Sequence, residues 1–210
     1  MIVLAGEDAN DRQCMRLLLE ELCPDMRGRL VEINWVVRLR QASDSNLAQR
    51  IKHLGGLARA KAAQQKAELA CVFVHEDFDA ADSDEYPKTR DRVQKALESE
   101  FGNAHYVLAV AEIEAWLLLF PDALAAFSSS WKLPTKYRGK DTGKIVDPKK
   151  VMSEVSRGRS RYRESDAPKV LAKAIELGCY KRPVGSNRSW REFGDDVTRC
   201  CTGHLRSNKG

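Results

Sequence analysis

Four apolar runs of strand length punctuate the first half of the chain: MIVLA at residues 1–5, LVEINWVVRLR at 30–40, ACVFVH at 70–75 and HYVLAVA at 105–111. Each is enriched in β-branched or aromatic residues, which suit a pleated, buried surface. Between them the apolar positions recur at helical spacing. Met15, Leu18, Leu19 and Leu22 share one face of a helix that follows the turn GEDANDRQ and that Pro24 and Gly28 end. Ser43 to Asn46 caps a long helix, NLAQRIKHLGGLARAKAAQQKAELA, in which Gly55–Gly56 marks a kink or a break. Pro87 opens KTRDRVQKALESEF, and EIEAWLLLF begins a helix after the fourth strand. Strands separated by helices of this length imply right-handed βαβ units. The expected class is α/β, with a mainly parallel four-stranded sheet flanked by helices.

The pattern changes after Phe127. SSSWKLPTKYRGKDTGKIVDPKK is polar and rich in turn residues and reads as a loop, with DPKKVMSEV as a short helix. SDAPKVLAKAIELG, stopped by Gly178, and SWREFGDDVTRCC are further helices. The expected organisation is therefore an α/β domain over 1–127 and a basic, mostly helical extension over 128–210.

Charge sharpens that division. The chain carries a formal +5, yet residues 131–163 hold eleven cations against Asp141, Asp147 and Glu154, a net +8. The cations are Lys132, Lys136, Arg138, Lys140, Lys144, Lys149, Lys150, Arg157, Arg159, Arg161 and Arg163. Such a block is either a solvated face or the footprint of a polyanion, DNA or RNA, whose phosphates supply affinity. Trp131 and Tyr137 interleave with the first of these cations, as on surfaces that track a strand.

The longest apolar stretch, Tyr106 to Phe120, is interrupted by Glu112 and Glu114, so no membrane span is expected. The first residues are already a strand and not a secretion leader, which predicts a cytoplasmic protein. The six cysteines form no C-x-x-C pair, and so give no zinc signature. Cys71 reads as a small hydrophobe within a strand, and Cys200 and Cys201 as neighbours on a helix, one buried and one exposed.

Acids gather where strands end. Glu7 and Asp8 follow the first strand, Asp77 and Asp79 the third, and Glu112 and Glu114 the fourth. Ligands of open parallel sheets collect at these carboxyl ends. Clustered carboxylates repel one another, and a divalent cation with oxygen ligands resolves that repulsion. Asp82 and Asp84 read as turn and capping residues, His75 as a strand-end residue, and Trp116 as core.

The order strand–Glu–helix followed by strand–D-x-D, here Gly6–Glu7 and Asp77-x-Asp79 with AEIEAWLLLF after the fourth strand, resembles the Toprim domain. That domain is shared by topoisomerases, bacterial primases, recombination mediators and overcoming-lysogenization-defect nucleases. The likeness covers residues 1–127 and is nearest to small stand-alone bacterial Toprim-like proteins, several of them encoded beside ATPases in anti-phage loci. Gly6 precedes the glutamate instead of following it, and Ala80 stands where a glycine often follows D-x-D.

The resemblance implies a Rossmann-like fold and Mg²⁺ or Mn²⁺ held by Asp77 and Asp79. It gives Glu7 a role as general acid or base or as a metal ligand, and has Glu114 approach from the next helix. The implied activity is metal-dependent phosphodiester hydrolysis, with an ATPase encoded nearby as partner and a homo-oligomer compatible with the chain. A non-catalytic or partner-activated nucleic-acid-binding or ATPase-binding subunit is the alternative. A receiver-like domain is a third reading, but it needs a fifth strand that the pattern lacks. No tyrosine is placed as a covalent nucleophile, and the chain has no room for the other domains of a topoisomerase or primase.

Overall fold

The computed structural model describes residues 1–157 and 160–205. Its centre is a four-stranded, all-parallel sheet flanked by helices, consistent with a Toprim-like α/β fold. The strands are β1 (Ile2–Gly6), β2 (Leu30–Val36), β3 (Cys71–Asp77) and β4 (Ala104–Ala109), in the spatial order β2-β1-β3-β4. β1, β3 and β4 are buried along their whole length, which is why they read as continuous apolar runs rather than alternating ones. β2 lies at an edge and is buried only in part.

The chain forms two compact, discontinuous units. The first comprises residues 1–76, 83–108 and 192–210; the second comprises 77–82 and 109–191. The last residues of β3 and β4, Asp77 and Ala109, therefore count with the second unit.

In the first unit, Asp8 caps α1 (Ala9–Leu22) by accepting from the Asp11 amide at 2.8 Å. Cys14, Met15, Leu18 and Leu19 form its buried face. Gly6 admits a close neighbour: a Cβ there would stand 3.2 Å from Arg12 Cγ, and Arg12 Nη1 donates to the Gly6 carbonyl at 3.3 Å. The glycine thus lets a buried arginine pass over the end of β1.

The run 30–40 leaves the sheet earlier than its composition predicts, at Val36. The physical reason is Glu76, on β3. Its buried carboxylate accepts from the amides of Leu39, at 2.9 Å, and of Arg40, and from the hydroxyl of Tyr106 at 2.9 Å. These bonds give residues 39–40 a partner other than a strand, and burial raises the Glu76 carboxyl above its ordinary range.

α2 (Asp44–Gln64) runs through Gly55–Gly56 without a break. A Cβ at Gly55 would meet Glu100 Oε1, the flexible end of the side chain on α3 (Glu85–Phe101) that pairs with Arg59 at 2.8 Å.

The last residues of α8 (Arg188–Cys200) belong to this unit. Asp196, 1% exposed, receives Arg90 Nη2 of α3 at 2.7 Å and also pairs with Arg199. Cys23 and Cys201 form a disulfide, and both Cys200 and Cys201 are buried. Both findings correct the expectation of an exposed member of the pair: Cys201 turns toward Cys23 at the end of α1 and is covered there.

The second unit is helical: α4 (Ile113–Leu117), α5 (Pro121–Phe127), α6 (Pro148–Val155), α7 (Ala167–Glu176) and the start of α8. Ser189 Oγ accepts from the Val110 amide and from Trp116 Nε1, each at 2.9 Å, and Trp116 meets the Trp190 ring edge-on. Trp116 is core, as its spacing predicts. Residues 128–147 hold only short 3-10 turns, tied down by Lys132 N to Val155 O, Thr142 N to Ser186 O and Asp82 N to Gly143 O. Among the described residues no helix is long and apolar enough to cross a membrane.

Candidate acidic site

The expected ligands divide between the units. Glu7, half-buried, leaves the carboxyl end of β1 in the first unit, whereas Asp77, Asp79, Glu112 and Glu114 lie in the second. Within the first unit β1 and β3 are parallel neighbours, with Gly6 opposite His75. His75 is fully buried, its Nδ1 3.8 Å from Asp11 Oδ2, and burial pushes its pKa down to about 4. Its imidazole is therefore neutral near pH 7 and serves the interior of the sheet.

In the second unit the backbone brings the two acid motifs side by side. Phe78 N donates to Ala109 O at 2.8 Å, Asp79 N to Ala111 O at 2.9 Å, and Ala111 N to Ala80 O at 2.9 Å. This ladder continues past the named ends of β3 and β4, so D-x-D lies alongside the residues that lead into Glu112 and Glu114. Asp79 and Ala111 both hold left-handed conformations, with φ of 55° and 57°. Non-glycine residues accept such backbone at a cost, and in ordered proteins such outliers concentrate at functional loops. Asp77 is buried, and Asp79 two residues on is exposed.

Glu112 precedes α4, and Glu114 in its first turn is only 4% exposed. Tyr162 donates its hydroxyl to Glu114 Oε1 at 2.8 Å. Burial pushes the Glu114 carboxyl up to about 7, although Tyr162 and the charge of Lys149 pull it the other way. Lys149, on α6, places its Nζ 3.1 Å from Glu112 Oε1 and 3.0 Å from Glu164 Oε1. Burial lowers the lysine's pKa, but these carboxylates outweigh it and raise the pKa overall. Asp82, read as a turn residue, faces Arg188 at 3.6 Å and Lys144 at 3.9 Å. Asp84 precedes α3 and makes no side-chain cap.

The basic stretch is not uniform. Lys132, Arg138, Lys140, Lys150, Arg157, Arg161 and Arg163 are exposed. Lys136 pairs with Glu154 at 3.1 Å and lies over the Tyr137 ring. Lys149 belongs to the acidic site. Arg159 lies outside the described residues.

Trp131 is fully buried, packed between Phe127 and Tyr162, with Nε1 donating to the Ser160 carbonyl at 2.7 Å. It is a core residue, not a platform for bases, and it anchors the loop that delivers Tyr162. Sequence reasoning missed Tyr162 and Lys149 as neighbours of Glu114, because both stand more than thirty residues away in a run that reads as generic basic surface.

The donor set at the strand ends is all carboxylate oxygen, which suits Mg²⁺ or Mn²⁺ and not a thiophilic ion. Comparison with protein-family models, with curated proteins and with solved structures finds no match for this chain.

Proposed function

We propose that the chain is a metal-dependent phosphodiester hydrolase acting on nucleic acid. The observation that carries this reading is the backbone ladder of residues 78–80 with 109–111, which sets D-x-D beside the segment bearing Glu112 and Glu114. Four carboxylates stand on or beside these two adjoining segments; of them, Asp79 holds a left-handed conformation and Glu112 follows the left-handed Ala111. Asp77 and Asp79 are the residues to hold Mg²⁺ or Mn²⁺; Glu114, which the resemblance adds to them, is 4% exposed and accepts from Tyr162. When bound, the ion supplies Lewis-acid polarisation of a phosphate and neutralises charge on the leaving oxygen.

The remaining steps belong to the protein's own side chains. Glu7 takes its role, proton transfer to or from water or the leaving group, from the Toprim resemblance alone. The exposed cations between Lys132 and Arg163 hold the sugar-phosphate backbone without reading bases. A role in bacterial anti-phage defence follows only from the Toprim resemblance.

Lys149 favours a second reading. Its ammonium already balances Glu112 and Glu164, so part of the acidic edge is neutralised without a metal. A subunit that becomes active only when a partner, such as an ATPase, displaces this lysine fits that arrangement.

Incubation with plasmid, single-stranded DNA and RNA, in Mg²⁺, Mn²⁺ or EDTA, tests both readings beside Asp77→Ala/Asp79→Ala. Cleavage that needs the metal and is lost in the variant supports the hydrolase. Wild-type protein that binds metal but cuts nothing supports the partner-activated subunit.

A further inference from the structure

A second group of ligand-type side chains lies in the interior of the first unit. Cys71 at the start of β3, His105 on β4 and Cys200 at the end of α8 are all buried. One ligand atom from each lies within 4.8 Å of the others. Tetrahedral zinc, with bonds of about 2.3 Å to sulfur and about 2.0 Å to nitrogen, sets its ligand atoms roughly 3.5–3.8 Å apart. The three side chains would therefore have to draw together by at most about 1.3 Å.

We propose that Cys71, His105 and Cys200 form a binding site for zinc(II), which ties the last helix to the two strands. Two thiolates and a neutral imidazole are a soft donor set that selects a thiophilic ion over Mg²⁺, and together with a divalent ion they carry no net charge into the interior.

The surroundings of His105 point the same way. Its ring stacks on Phe73 with centroids 4.8 Å apart, which fixes the plane. Neither ring nitrogen makes a hydrogen bond of good geometry, and Nδ1 stands 3.6 Å from Asp196 Oδ1. The polar neighbours of this buried imidazole are Asp196 and Cys200. With a metal on one nitrogen and Asp196 orienting the other, both are used, as in the carboxylate–histidine–zinc arrangement. Arg90 and Arg199 hold Asp196 in place, so it is a positioning residue.

The test is metal content and cobalt substitution on the full chain. Protein from zinc-supplemented culture should carry one zinc per chain, and Co²⁺ exchange should give the intense near-ultraviolet band of thiolate ligation. Cys71→Ser and Cys200→Ser should each weaken Co²⁺ binding at least tenfold, and Asp196→Asn about tenfold. Cys179→Ser, outside the cluster, should change nothing. Because the serine variants can lose structure, the wild type supplies its own control: stripping with a chelator should lower its melting temperature, and zinc should restore it. Wild-type protein with native circular dichroism but neither zinc nor the cobalt band overturns the proposal. So does a Cys71–Cys200 disulfide found in non-reduced peptides of freshly purified protein.

Discussion

Tyr162 donates its hydroxyl to Glu114 at 2.8 Å across forty-eight positions of sequence, and so joins the basic segment to the acidic one. A buried carboxyl held near pKa 7 by desolvation is a group whose charge changes in the working range of most enzymes.

That raised value is also a statement about stability. The Glu114 carboxyl is raised from an ordinary 4.5 to about 7. Between those values the unfolded chain gives up its proton first, so stability falls as pH rises and the full cost is present above pH 7. At ~1.4 kcal/mol per unit the cost is on the order of 3 kcal/mol. Glu114→Gln, which still accepts from Tyr162, should therefore be more stable than wild type at pH 8 and close to it at pH 4, as urea melts at the two pH values will read. Equal differences at both would remove the shift.

Removing the donor acts in the opposite sense. Tyr162→Phe takes away the hydrogen bond that favours the carboxylate, so the Glu114 pKa should climb further, by about one unit. Carboxyl-region infrared or carbon NMR titration of the two proteins measures it directly.

Glycine positions in α2 separate space from propensity. A Cβ at Gly56 meets nothing within 4 Å, whereas one at Gly55 meets Glu100 Oε1 at 2.4 Å. Gly56→Ala should stabilise by about 0.5–1 kcal/mol through helix propensity. Gly55→Ala should gain less, because Glu100 must swing away from Arg59. Chemical denaturation of both variants decides.

Asp196 concentrates charge in the interior of the first unit. Burial works against its ionisation, but His105, Arg90 and Arg199 outweigh that and hold its carboxyl below the ordinary range. Asp196→Ala leaves Arg90 without its 2.7 Å partner and should cost about 3–5 kcal/mol in a denaturant melt.

What was legible in the sequence follows from which forces act locally. The four strands and the helices between them were readable because β1, β3 and β4 are buried throughout, and because α1 and α3 carry one apolar face each. The end of β2 was not, since Glu76, far along the chain, supplies the bonds that divert residues 39–40. Gly55–Gly56 looked like a kink or a break because sequence shows the missing side chains and not the carboxylate that stands beside Gly55. Trp131 stands at the edge of the cationic run, which leaves its role open in the sequence; its ring faces Phe127 and Tyr162. The strand-end acids were visible, while the lysine and tyrosine that meet Glu112 and Glu114 come from a run whose charge hides individual roles.

Titration calorimetry of Mn²⁺ into the wild-type protein and Asp77→Asn/Asp79→Asn asks whether the strand-end carboxylates bind a divalent cation. Saturable binding to the wild type is expected, with a loss of at least tenfold in the variant and circular dichroism unchanged. No binding to the wild type, or equal binding to both proteins, would contradict this expectation and return these acids to solvation and turn formation.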